Sequence, residues 1–145
     1  MYNQILIATD GSQHGELAVK QGLALAEALA SQVIVVTVTQ PYSMDGAREM
    51  GASVGSEVDD KADAFDAGKI LTAVLDGARS IGISCEALHV KDPLPAKAIT
   101  QTAIARDCDL IVIGPYGKNR IERFFQGSTT MEILTQSSIP VLVCR

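Results

Sequence analysis

Three glycines and a hydroxyl cluster near the end of the chain have the spacing of a phosphate cradle. Gly114 and Gly117 have two residues between them, Gly117 and Gly127 have nine, and Ser128, Thr129 and Thr130 come directly behind the third glycine. The apolar run Leu110-Ile111-Val112-Ile113 stops at the first glycine, and the residues after the third read as a helix. A strand that opens into a glycine-rich loop and feeds a helix start lets the backbone approach a ligand closely. It also aims the free N–H groups of the first turn at an anion. A second candidate is Thr9-Asp10-Gly11-Ser12, which follows the run Ile5-Leu6-Ile7-Ala8. Asp10 has two readings: a carboxylate that accepts from ribose hydroxyls or holds a divalent cation, or a helix cap. At the end of another strand, the backbone at Val38 is placed to read an adenine edge.

Other chemistries lack their residues. The chain has no Gly-x-Ser-x-Gly elbow, no Walker-type Gly-x-x-x-x-Gly-Lys-Ser/Thr and no Gly-x-Gly-x-x-Gly after its first strand. A phosphoacceptor receiver would need clustered acids at that strand end, and only Asp10 stands there. His14 and His89 have no partners at metal-ligand spacing. Lys118, Arg120 and Arg123 lie within the glycine-rich stretch, where they supplement a phosphate site or form a solvated face. Phe124 and Phe125 read as anchors that dock this insert on the core.

Composition narrows the class further. The 145 residues fit one domain, spanning 1–145, with room for a core. The hydrophobic fraction of 47% and charged fraction of 20% are those of a globular protein. A net charge of -5 without a Lys/Arg cluster leaves no footprint for nucleic acid, so backbone dipoles or a metal must hold any polyanionic ligand. Cys85, Cys108 and Cys144 lie in or beside apolar runs at wide spacing, as buried reduced thiols do, which points to a reducing cytoplasm. The first residues do not form a signal peptide, and no apolar run reaches the length of a membrane span.

The elements that must position these residues alternate along the chain. Ile5–Ala8 reads as a central strand covered on both faces. A helix over about 13–30 follows, with Leu17, Ala18, Lys20, Gln21, Ala24, Leu25, Ala28 and Leu29 on its inner side and Ser12 or Asp10 as its cap. Val33–Thr39 is the strongest strand signal. The stretch from Gln40 to Asp59 is a long loop with a short helical turn at 47–50, either a lid or partner surface or a plain surface excursion. The next helix covers about 58–81, with a stripe of Phe65, Ile70, Leu71, Val74, Leu75 and Ala78, and ends at Gly82 in the left-handed conformation. Ile83–Val90 is a strand near the sheet edge. Pro95 or Ala96 opens a helix that runs to about Arg106. Leu110–Ile113 is the fourth strand, about 128–136 the last helix, and Ile139–Cys144 the fifth strand. Pro140 suits a strand start or an edge, which leaves this strand open to pairing with a second copy. Strands alternating with helices imply a parallel sheet with helices on both faces, and a ligand at the carboxyl ends of the strands where the winding reverses.

These residues together resemble the universal stress protein family along the whole chain. The strand and turn Ile5-Leu6-Ile7-Ala8-Thr9-Asp10-Gly11-Ser12, the spacing Gly114-x2-Gly117-x9-Gly127-Ser128 and the closing Ile139-Pro140-Val141-Leu142-Val143 carry the resemblance. It implies an α/β three-layer sandwich, Rossmann-like and of the adenine nucleotide alpha-hydrolase-like kind, with a five-stranded parallel sheet in the order 3-2-1-4-5. The glycine spacing is that of the branch of the family that binds ATP. Carried over, it implies adenine and ribose contacts at Ala8, Thr9, Asp10 and Val38, and phosphate contacts at Gly114, Gly117, Gly127, Ser128 and Thr129. Ile113, Pro115, Tyr116 and Lys118 would line the loop. It also implies a homodimer through the C-terminal strand, 140–144. Ala8 stands where the family usually has proline. Pro115-Tyr116 replaces a small residue followed by a basic one or histidine, and Pro115 has no N–H to offer. Thr129 stands where valine is common.

The expectation is a cytoplasmic nucleotide-dependent switch or sensor for stress, with ATP, ADP or AMP as ligand and Mg²⁺ or Mn²⁺ accompanying the nucleotide at Asp10. No residue stands out as a general base, so little or no hydrolysis is expected. Two other readings fit the same residues. One is a slow metal-dependent ATPase using Asp10. The other is an interaction module that binds no nucleotide and docks a partner through the 40–59 loop. Neither nucleic acid nor membrane is an expected partner.

Overall fold

Parallel strands need long crossovers, and this chain supplies them as helices. The computed structural model describes residues 1–41, 56–115 and 129–145, with the backbone alone for 56–60. Its elements are β1 (Gln4–Ala8), α1 (Gln13–Leu29), β2 (Gln32–Thr39), α2 (Ser56–Ser80), β3 (Cys85–Lys91), α3 (Pro95–Ala105), β4 (Leu110–Ile113), α4 (Thr129–Gln136) and β5 (Val141–Val143). The strands pair in parallel in the order β3-β2-β1-β4-β5, as the resemblance implied. The turn at 47–50 and most of the 40–59 loop lie outside the described residues.

Alternation along each strand sorts side chains onto two faces. Ile5, Ile7, Val33, Leu110 and Val112 meet Ala18, Leu23 and Ala26 of α1 and Ala78 of α2. Val35 on that face meets Leu71 and Val74 of α2. Leu6, Ile34, Val36, Ile111 and Ile113 point the other way, onto Ala96, Ile99 and Ala103 of α3 and Ile133 of α4. Both faces of β1 and β4 are therefore covered, which is why their sequences read as unbroken apolar runs.

Two helix faces differ from the sequence expectation. The buried side of α1 is Gly15, Ala18, Gly22, Leu23 and Ala26, whereas Lys20, Gln21, Ala24, Ala28 and Leu29 face outward. Small residues decide this. A Cβ at Gly22 would lie 2.6 Å from Ile7 Cδ1, so α1 sits closer to the sheet than larger residues would allow. Hydrophobicity alone favoured the leucine-bearing side. Phe65, placed in the stripe of α2, is 64% exposed. Its ring carries Lys69 Nζ 4.6 Å from the centroid, a surface cation–π contact in place of core packing.

The remaining boundaries agree within a few residues. Ser12 caps α1 by accepting the Gly15 N–H at 3.2 Å. Pro95 occupies the first turn of α3, and Gly82 has a φ of +75° behind α2. The last strand is shorter than the sequence suggested, Val141–Val143, and begins directly after Pro140. It lies at one edge of the sheet, and β3 lies at the other. Cys108 and Cys144 are buried, Cys85 is partly buried, and all three are free thiols. Burial above all pushes the Cys108 thiol up to about 11, so it remains protonated and unreactive at neutral pH. Among the described residues, no helix is long and apolar enough to cross a membrane.

Candidate functional site

The winding direction reverses between β1 and β4, which are hydrogen-bonded neighbours. Ile7 stands opposite Val112, so Ala8 and Thr9 leave the sheet beside Ile113 and Gly114. On the other side Ala8 stands opposite Val36, and Val38 lies two residues further along β2 at the level of Asp10. Ala8, Val38 and Ile113 all point to the α3–α4 face. The structure thus brings Ala8, Thr9, Asp10, Val38, Ile113, Gly114 and Pro115 to one end of the sheet. Thr129 opens α4 at the same end, because Thr130 Oγ1 donates to the Gly114 carbonyl at 2.7 Å. Tyr116, Gly117, Lys118, Gly127 and Ser128 lie outside the described residues, as do Arg120, Arg123, Phe124 and Phe125.

The turn after β1 is fastened by its own side chains. The Thr9 N–H donates to the Val36 carbonyl at 3.0 Å. Thr37 Oγ1 donates to the Thr9 carbonyl at 2.9 Å, inside the protein. Thr9 Oγ1 accepts the Gly11 N–H at 3.2 Å, and Asp10 Oδ1 accepts the Ser12 N–H at 2.9 Å. These are the short-range bonds that Thr and Asp offer a turn. Of the two candidates for the helix cap, Ser12 takes that role, and Asp10 braces the residue before the helix.

That division leaves the second carboxylate oxygen of Asp10 unused. Asp10 Oδ2 is shut off from solvent and has no hydrogen-bond partner among the described residues. A dry, unpaired acceptor costs roughly 1–3 kcal/mol, and more when charged. Such an atom is poised to receive a donor. Among the described residues there is no group of three His, Cys, Asp or Glu that could hold a metal ion.

Close approach explains two glycines. A Cβ on Gly114 would lie 2.8 Å from the His14 carbonyl oxygen and 3.1 Å from its carbon, so the end of β4 rests against the first turn of α1. A Cβ on Gly15 would lie 2.6 Å from Thr9 Oγ1 and 2.9 Å from Asp10 Oδ1. The two strand exits are thereby drawn onto one helix start. Sequence reasoning saw Thr130 only as one of the hydroxyl cluster, and it passed over Gly15, Thr37 and the backbone of His14. The only signal for any of them was a glycine in the first turn of a helix, where it costs stability unless something packs close. A depression of about 440 Å³, lined by Gln13, His14, Glu16, Leu17, Lys20 and Arg145, lies along α1 and shares only His14 with the site.

Relatives of known family share the whole chain. The chain is 28% identical to a universal stress protein of Thermus aquaticus, over 100% of both sequences. It is 29% identical to a putative universal stress protein of Staphylococcus saprophyticus, over 99% of this chain and 84% of that one. Among solved structures, hypothetical protein MJ0577 superposes with a TM-score of 0.82 at 25% identity, covering 99% of this chain and 96% of its own. A universal stress protein solved in complex with cAMP superposes with a TM-score of 0.75 at 25% identity, covering 99% of this chain and 97% of its own. The model of the universal stress protein family matches residues 1–145, and the chain belongs to that family.

Proposed function

We propose that the protein binds an adenine nucleotide (ATP, ADP or AMP) at the carboxyl ends of β1, β2 and β4, and that occupancy acts as a switch in a stress response. Asp10 Oδ2, buried and without a partner among the described residues, is the observation that carries this reading. A ribose hydroxyl is a donor of the right kind, and with Oδ1 accepting from Ser12 the other carboxylate oxygen would be the one to receive it. The relative solved with cAMP supports the ligand class. Ala8 and Val38 supply an apolar wall at the base end, with Val38 offering backbone groups to the adenine edge. Phosphates would lie toward Gly114 and the start of α4, where Thr129 backbone groups and the helix dipole favour negative charge. A divalent cation, if present, would take most of its ligands from phosphates and water, with Asp10 as the protein's contribution. No step of hydrolysis is assigned to any residue.

Isothermal titration with AMP, ADP and ATP, each with and without Mg²⁺, tests the reading. The expected result is saturable binding of one nucleotide per chain. Absence of heat at millimolar nucleotide would discard it.

The same family reading assigns the β5 edge to a homodimer. Support comes from the exposed apolar residues there: Leu142 is 39% exposed, and Leu134 and Met131 on α4 are 44% and 55% exposed. An unpaired edge with apolar side chains is a ready template for a second copy. Sedimentation velocity should give a dimer that Leu142→Asp converts to a folded monomer. A wild-type protein that sediments as a monomer at all concentrations would rule the dimer out.

A further inference from the structure

Ile70 of α2 lies directly over the turn that carries Asp10. Gly11 has a φ of +76°, and a Cβ built on it would lie 2.6 Å from Ile70 Cδ1 and 2.8 Å from Cγ1. Gly11 therefore presents bare backbone to the isoleucine. Its neighbours are tied down on both sides, by Thr9 Oγ1 on the Gly11 N–H and by Asp10 Oδ1 on the Ser12 N–H. Ile70 is held just as firmly, because the adjacent Leu71, together with Val74, is buried against Val35 of β2. A helix anchored on one strand thus reaches across to the exit of the next.

We infer that Ile70 is a positioning residue for the nucleotide site, and that the contact makes α2 a reporter of its occupancy. This rests on Asp10 being the nucleotide acceptor. Glycine in a turn has the widest choice of conformations of any residue. Only conformations that hold Asp10 Oδ2 in place are competent, and affinity falls in proportion to their population. Ile70 closes off the conformations in which Gly11 rises from the sheet. Coupling of this kind is reciprocal, so a ligand that fixes the turn must also steady the part of α2 that touches it. No residue of α2 need meet the nucleotide.

Hydrogen exchange and titration with AMP, on wild type, Ile70→Ala and Val74→Ala, test the inference. Val74→Ala removes packing from the same helix without touching Gly11, and so reports the effect of lost stability alone. In the wild type, AMP should slow exchange of the amides at 61–71. In Ile70→Ala, affinity should fall about five- to tenfold relative to Val74→Ala, the lower range of measured couplings, and the slowing at 61–71 should disappear. Equal affinity in the two variants, or protection of α2 that survives in Ile70→Ala, overturns the inference. If the wild type binds no AMP, the nucleotide reading itself fails, and the unliganded proteins then decide the role of Ile70. Faster exchange at 9–15 in Ile70→Ala than in Val74→Ala would retain its hold on the turn, and equal exchange would remove it.

Discussion

Gly114→Ala should unfold at a markedly lower temperature than the parent protein and lose nucleotide affinity with it. The added methyl meets main-chain atoms of His14 at 2.8 and 3.1 Å, and neither can rotate away as a side-chain tip could. Relief requires β4 and the first turn of α1 to separate. Overpacking of this kind costs about 1–3 kcal/mol, roughly 4–10 °C for a chain of this size. The same separation pulls Gly114 and Thr130 away from the Asp10 turn, so the two halves of the site lose their spacing. Thermal denaturation and titration with AMP would read the two effects. A variant as stable as the parent would mean that strand and helix have room between them after all.

Asp10→Asn should show the opposite balance. The side chain keeps its shape and its oxygen toward the Ser12 N–H, which Asp10 Oδ1 accepts at 2.9 Å. It replaces the unpaired Oδ2 with a neutral donor. A neutral amide is cheaper to hold away from water than a carboxylate, so the unliganded protein should melt at the same temperature or higher. Nucleotide affinity should fall about ten- to a hundredfold, the worth of one hydrogen bond to a charged acceptor. Thermal shift with and without AMP separates the two quantities. Unchanged affinity would remove Asp10 from the site, and a large loss of stability would show that Oδ2 serves the fold. Functional sites often trade stability for activity in this way.

Much of the sheet was legible because it is buried on both sides. Leu110–Ile113 and Ile5–Ala8 are continuous apolar runs, and no helix of that length would be bounded as they are by turn residues. The edges were legible for the opposite reason, since Pro140 and the mixed pattern of β3 suit strands with one neighbour. Helix faces were harder. In α1 the inner side is chosen by Gly15 and Gly22, whose smallness matters only because Thr9 and Ile7 stand opposite. Phe65 is apolar and correctly phased for a stripe, yet its end of α2 leaves it in solvent beside Lys69. Within the candidate site, the places of Asp10 and Gly114 at the ends of strands were readable. The contacts of Thr37, Thr130 and Ile70 were not, although Thr130 stood in the hydroxyl cluster, because their partners Thr9, Gly114 and Gly11 lie far away along the chain.

The bond from Thr130 to the Gly114 carbonyl has a consequence for how such a chain can change over generations. It brings the two ends of the intervening stretch to one point on the fold. Where two points of a chain are already joined, doubling the loop between them costs in general only about 0.6 kcal/mol of entropy. Insertions, deletions and exchanges between 115 and 129 should therefore weigh little on whether the sheet forms. The clamp itself depends only on Gly114 and Thr130, so it outlasts such changes and leaves β4 and α4 where they are.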